Sequence, residues 1–316
     1  MNNISITEFI QSASCILGEG AVIERLRRSG DLELDPFLVN SAFIYEDAKR
    51  AALEAIYRQY LDIGRKFDLP ILISTPTWRA NRERIDAAGY RGVDVNGDNV
   101  RFFDALRKSY GAYAKKVVIC GLMSCRGDAY NPADGLALDK AQAFHAWQAK
   151  KLAEAGCDFL LAATLPALSE ATGLALALAA TGRPYVVSFV VRPEGTLLDG
   201  TPIKEAITAI DASVTPCPLA YMINCTHASF ARTALLHEAN SSSLVRHRVI
   251  GLLANTAALS PEDLNDSTSL VEEDPETFGK SVAGLHRELG LKILGGCCGT
   301  DDRHIRSLAA HLATGV

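Results

Sequence analysis

The sequence has no surplus of basic residues: 32 Lys and Arg face 37 Asp and Glu, a formal net charge of −5. Without that surplus, a role on nucleic acid or on an anionic membrane lacks its main electrostatic support. No apolar run reaches the roughly 18 residues that a membrane span needs. Met1 to Gln11 carry Glu8 and show neither a basic stretch nor a long apolar one, so no secretory leader is expected. A soluble, cytoplasmic protein is the expectation. Eight cysteines in 316 residues are too sparse for a disulfide-dense secreted scaffold. No C-x-x-C pair, internal repeat or Pro/Ser-rich linker occurs, and no G-x-G-x-x-G turn follows any strand candidate.

What the chain does have is core. Hydrophobic residues make up 48% and charged residues 22%, which excludes disorder as the main state. The length leaves room for two average domains, although α/β barrels of this size are commonly one. Short apolar runs recur at Cys15–Leu17, Leu69–Thr75, Lys116–Met123, Asp158–Thr164, Tyr185–Val191, Leu219–Cys225, Arg248–Asn255 and Leu291–Cys298. Their apolar residues are continuous rather than alternating, as in parallel strands buried on both faces. Between and after them lie stretches of helical period, among them Glu46–Phe67, Leu138–Ala155, Leu168–Ala180, Pro202–Ile210, Ala228–Glu238, Glu276–Leu289 and Asp302–Ala313. Eight strand-then-helix units over residues 1–316 predict a single-domain (β/α)8 barrel. Ala257–Asp274, polar and acidic, reads as a long loop after the seventh strand.

In such a barrel, catalytic groups come from the C-terminal ends of strands. Cys15, Cys120, Cys157 and Cys217 lie in or beside apolar runs and read as small hydrophobes. Cys225, Cys297 and Cys298 each close a run where the chain turns polar. Adjacent cysteines cannot both point inward along a regular strand. The surrounding Gly295, Gly296 and Gly299 would relieve that by adopting conformations closed to other residues. Buried filler or a vicinal disulfide would account for Cys297 and Cys298 alone. With Cys225 two strands away, the pattern fits three thiolates around a zinc that keeps one position open.

Asn224-Cys225 at one strand end and Gly295-Gly296-Cys297-Cys298-Gly299-Thr300 at a later one resemble the homocysteine S-methyltransferase family of zinc-dependent (β/α)8 barrels. Glu19-Gly20-Ala21 with Leu26–Gly30 is similar to its opening segment and first helix. Thr75–Asn81, Phe144-His145, Leu152–Asp158 and Leu198–Pro202 resemble further family segments. The resemblance implies that Cys225, Cys297 and Cys298 hold zinc. The fourth position would take a small-molecule thiol, homocysteine or a relative, activated as thiolate for methylation by an onium-type donor. Chemistry supports those roles, because the thiolate is the nucleophile and a metal dication ionises a coordinating thiol. Glu19, Gly20, Thr75, Trp78, Thr164, Asn224 and Asn255 become candidates for contact with substrate. Trp78 suits one wall of a cation pocket or a core position. His145 reads as a packing residue and His227 as an exposed loop histidine.

Three departures stand out. Glu19 and Ala21 replace the aspartate and second glycine of the family's opening Asp-Gly-Gly. Ala163 stands where members commonly carry a glutamate that holds the amino group of homocysteine. Leu253–Ala257 replaces a Tyr-Pro-Asn-Ser-Gly-type segment, with Asn255 its polar match. A zinc hydrolase or lyase, and a zinc- or thiol-binding barrel without catalysis, are the competing readings. Against the hydrolase, no strand-end Glu or His stands beside the cysteines as a clear base. Neither the donor, the acceptor nor the oligomeric state is written in the sequence, and no cobalamin-binding domain lies on it.

Overall fold

The computed structural model describes residues 5–30, 32–264 and 272–314. Its strands are β1 (Ile16–Gly18), β2 (Ile71–Ser74), β3 (Val117–Ser124), β4 (Phe159–Leu165), β5 (Tyr185–Phe189), β6 (Ala220–His227), β7 (Val249–Asn255) and β8 (Ile293–Gly296). Each pairs in parallel with the next, and β1 pairs with β8 through Ile16–Ile293 and Leu17–Leu294. The sheet is therefore a closed eight-stranded barrel, a single-domain (β/α)8 fold.

The helices are α1 (Ile6–Ser12), α2 (Ile23–Arg28), α3 (Asp47–Lys66), α4 (Arg82–Ala87), α5 (Val95–Lys108), α6 (Leu138–Ala155) and α7 (Leu168–Ala179). They continue with α8 (Ile203–Ser213), α9 (Ala228–Leu236), α10 (Ser243–Arg248), α11 (Pro261–Leu264), α12 (Pro275–Leu289) and α13 (Asp302–Thr314). None among the described residues is long and apolar enough to cross a membrane.

Successive strand residues feed two layers. Ile16, Leu72, Val118, Phe159, Leu161, Val186, Met222 and Ile293 fill the barrel interior, with Ile10 of α1 packed into the same cluster. Leu17, Ile71, Ile73, Leu160, Val187, Ile223 and Leu294 face the helices. Both faces are buried, which is why the strands read as continuous apolar runs. At the upper end of the barrel the side chains become small and polar: Ser74, Ser124, Ala163, Ser188 and Asn224.

Helix α5 is absent from the sequence candidates, although Val95, Val100, Phe103 and Leu106 give it a buried apolar face. Its buried face includes Asn96 and Asn99, whose amides donate to Ala80 O at 2.8 Å and Ser41 O at 2.9 Å. Their amide nitrogens are thereby paired, and the two asparagines interrupt the apolar face. Two expectations need correction. Cys217 is exposed rather than a buried hydrophobe. The segment after β7 is not wholly loop, because Pro261–Leu264 forms a helical turn; residues 265–271 of that segment lie outside the described residues.

Candidate metal centre

Cys225, Cys297 and Cys298 converge at the upper end of the barrel. Their sulfurs all lie within 4.8 Å of one another, and Cys225 Sγ and Cys297 Sγ are 2.8 Å apart. Three ligands held about 2.3 Å from a tetrahedral zinc would stand about 3.8 Å apart, a spacing within reach of sulfurs already this close. The donor set is soft and suits zinc. Hydrogen bonds among the three thiols pull their pKa values both ways, and burial with mutual repulsion leaves all three well above the ordinary range. A dication reverses that balance, since it favours the thiolates that burial disfavours.

Backbone irregularities aim the sulfurs. The β6–β7 register pairs Asn224 with Leu253 and Thr226 with Ala254, which leaves Cys225 as an extra, bulged residue with φ +52°. A bulge re-aims a side chain in this way. On β4 the register slips between Ala162 and Leu165, and Thr164 takes φ +59°. Such a conformation is costly for a β-branched residue and needs support. Asn224 supplies it: Thr164 N donates to Asn224 Oδ1 at 2.8 Å, and Asn224 Nδ2 donates to Thr164 Oγ1 at 2.7 Å. Ser188 Oγ donates to the same Asn224 oxygen at 2.6 Å. Asn224 and Thr164 thus brace each other beside Cys225.

Cys297 and Cys298 lie just past β8, in a turn where alternation no longer applies. Cys297 N donates to Ala254 O at 2.7 Å, and Cys298 N donates to Asn255 Oδ1 at 3.1 Å. Gly299 N donates to Glu24 Oε2 at 2.6 Å. The glycines act differently from expectation. Only Gly299 of the three has positive φ, at +83°. Gly295 is required by close approach instead: a Cβ there would stand 2.6 Å from Gly18 Cα. At Gly299 a Cβ would also stand 1.8 Å from Thr256 Oγ1. Gly299→Ala is therefore expected to cost about 1–3 kcal/mol and to loosen the cysteine turn. A melting temperature lowered by a few degrees, with reduced metal retention after dialysis, checks this.

The remaining candidates divide. Glu19 follows β1, and its carboxylate accepts from Ser74 N at 3.0 Å. The residue is partly accessible, yet its carboxyl is enclosed, and burial raises its pKa to about 8. Gly20 is buried where a Cβ would meet Tyr60 Oη at 2.8 Å and Thr300 Oγ1 at 3.0 Å, so it seats the β1 loop against the cysteine turn. Thr75 is also buried, its hydroxyl 2.8 Å from Thr77 Oγ1 and accepting from Leu122 N at 3.1 Å, which ties β2 to β3. Trp78 is half-buried, and the Arg79 guanidinium lies 4.3 Å from its ring centroid. A cation already covers one face of that indole. Asn255 ends β7, fully buried, with its Nδ2 lacking a hydrogen bond. His227 is buried rather than exposed: it caps α9, its Nδ1 accepting from Ser229 N at 3.3 Å.

Two residues at the site carry no sequence signal. Tyr130, on the loop after β3, has its hydroxyl pushed far above the ordinary range by burial and by Cys225, Cys298 and Cys297. Glu24 of α2 meets the cysteine turn through Gly299. Spacing along the chain connects neither to the sulfurs. Glu272, Asp301 and His304 form a second grouping, but it is an ion-pair network in which Arg303 pairs with both carboxylates.

The family profile described as homocysteine S-methyltransferase matches residues 16–312. The chain belongs to that family. It is an S-methyltransferase by that membership. Betaine–homocysteine S-methyltransferase 1 of Bos taurus is 22% identical across 98% of this chain and 74% of its own length. Homocysteine S-methyltransferase of Escherichia coli (strain K12) is 28% identical across 64% of this chain and 59% of its own. The metallated form of the homocysteine methyltransferase MmuM from Escherichia coli superposes with a TM-score of 0.75 at 20% identity. That match covers 96% of this chain and 98% of the other, and it shows the shared barrel.

Proposed function

We propose that this S-methyltransferase is zinc-dependent, with Cys225, Cys297 and Cys298 as the ligands, and that it methylates homocysteine or a related small thiol from an onium donor. The observation that carries this reading is the convergence of three sulfurs from two strand ends at one upper-barrel point. Zinc, when bound there, supplies the ionisation of the acceptor thiol. The protein's own residues position. Asn224 and Thr164 fix Cys225, while Asn255 and Glu24 fix the Cys297–Gly299 turn. The acceptor sulfur attacks the methyl carbon as the donor's bond to that carbon breaks, and the donor leaves as a neutral thioether or amine. Alignment of the two substrates supplies most of the remaining rate. The half-buried indole of Trp78, with Arg79 over its ring, is the aromatic surface proposed for a positive donor.

The acceptor's amino group is the point of departure. An alanine at position 163 cannot pair with an ammonium. Glu19 is the buried carboxyl at the barrel mouth that can, and at neutral pH it is mostly protonated. Its pKa of about 8 means that the ionised, ammonium-pairing form grows as pH rises through that value. The preference for homocysteine over its desamino analogue should then rise roughly tenfold between about pH 6.5 and pH 8. Taking the ratio of kcat/KM values cancels the ionisation of the thiol itself, which both substrates share. A ratio flat with pH removes Glu19 from ammonium recognition. The reading as a whole is tested by assaying methyl transfer from sulfonium and quaternary ammonium donors to a panel of thiols. Methylated thiol forming only with zinc-loaded protein is the expected result, and no turnover with any pair overturns it.

A further inference from the structure

The loop Arg126–Leu136 leaves β3 and returns at the start of α6, and both of its feet end on one carboxylate. Arg126 N donates to Glu170 Oε1 at 2.7 Å, and Leu136 N donates to Glu170 Oε2 at 3.1 Å. His145 Nε2 lies 2.9 Å from the first of these oxygens. Glu170 and His145 are both buried, at 0% and 1% exposure. From the segment after β2, Arg79 donates to Arg126 O at 3.0 Å and to Gly127 O at 2.7 Å. Inside the loop, a Cβ at Gly127 would stand 2.7 Å from Asp134 Cβ, so the two limbs are in contact. A compact surface segment with closed ends of this kind is an Ω-loop. Tyr130 rides on it at the barrel mouth, near enough to Cys225, Cys298 and Cys297 for their charges to raise its pKa further above the ordinary range.

A buried carboxylate is costly unless every lone pair finds a partner. Here, burial would raise the Glu170 pKa, and the hydrogen bonds from His145, Arg126 N and Leu136 N outweigh it. The chemistry assigned above uses neither Glu170 nor His145. Among the described residues, their hydrogen bonds join each other and the two ends of the loop.

We infer that Glu170, braced by His145, is a positioning residue for methyl transfer: it pins both feet of the Arg126–Leu136 loop and so fixes Tyr130 as a wall of the donor site beside the cysteines. This inference rests on the sulfur trio being the reacting centre. Glu170→Gln exchanges one acceptor for a donor, which then confronts a backbone N–H and frees one foot.

Three measurements test it. In the unmodified protein, the amides of Arg126 and Leu136 should exchange with solvent at least about a hundredfold more slowly than open-loop amides. In Glu170→Gln, trypsin should cut after Arg126 about tenfold faster, because cleavage follows the opened population. The KM for the methyl donor should rise about tenfold, with the KM for the acceptor and the metal content unchanged. Tyr130→Ala should reproduce the KM change while the loop stays resistant. The double variant should be no worse than Tyr130→Ala alone, since the two residues act through one contact. Open-loop exchange rates in the unmodified protein, or additive effects in the double variant, overturn the inference. Should Glu170→Gln fail to fold, amide exchange in the unmodified protein decides. Exchange and proteolysis need no turnover, so their failure is distinct from a failure of the assigned reaction.

Discussion

Replacing any one of Cys225, Cys297 and Cys298 with alanine is expected to weaken zinc retention more than a hundredfold and to abolish methyl transfer, with the barrel still folded. A structural zinc site is worth about 10–16 kcal/mol, so loss of one strong ligand removes about 3 kcal/mol or more. The nearest supports, Asn224, Asn255 and Glu24, are engaged with Cys225 Sγ, Cys298 N and Gly299 N, and none supplies a thiolate. The fold should survive because the interior cluster of Ile16, Leu72, Phe159, Met222 and Ile293 lies apart from the cysteines. Metal content after dialysis and a thermal melt separate the two effects. A variant that keeps one tightly held zinc, or that retains activity, contradicts the assignment of that cysteine.

Ala163→Glu is expected to shift acceptor choice more than any other single change. Ala163 is buried on the inward face of β4, in register with Ser124 of β3, among the small residues of the upper barrel. A carboxylate placed there gains a cationic partner only when the acceptor carries an amino group. An unpaired buried ammonium costs a few kcal/mol. We expect the unmodified protein to use homocysteine weakly and to favour a thiol lacking the α-amino group, and Ala163→Glu to raise the homocysteine preference about tenfold or more. The ratio of kcat/KM for homocysteine to that for its desamino analogue measures this. Efficient use of homocysteine by the unmodified protein, with a KM of about 1 μM to 1 mM, overturns the prediction. Glu19 would then be pairing the ammonium even at neutral pH, rather than only as pH rises through about 8, and Glu19→Ala should abolish the activity.

Much of this arrangement is legible along the chain. The eight strands were readable because burial on both faces makes a continuous apolar signal, with boundaries a residue or two away from those observed. The cysteines were readable because they sit at strand ends beside glycines. What escaped depends on polar groups satisfied at long range. Helix α5 mixes Asn96 and Asn99 into its apolar face, and their partners Ala80 and Ser41 lie on other segments. Thr164 and Asn224 were candidates for substrate contact, and the structure spends their polar atoms on each other. His227 looked like a loop residue because its capping of α9 shows only once β6 ends beside that helix. Glu170 and Tyr130 carry no motif at all. Their significance comes from the loop after β3, which carries Tyr130 and ends at both feet on Glu170.

The central claim is that three cysteines hold one zinc and leave a place for the acceptor's sulfur. X-ray absorption at the zinc edge tests it most directly, on the purified protein with and without an acceptor thiol. The account predicts one zinc per chain with three sulfur neighbours at about 2.3 Å plus one lighter atom, changing to four sulfurs when the thiol is added. Well under one zinc per chain after reduction and reloading, or a sulfur count indifferent to the thiol, would contradict it.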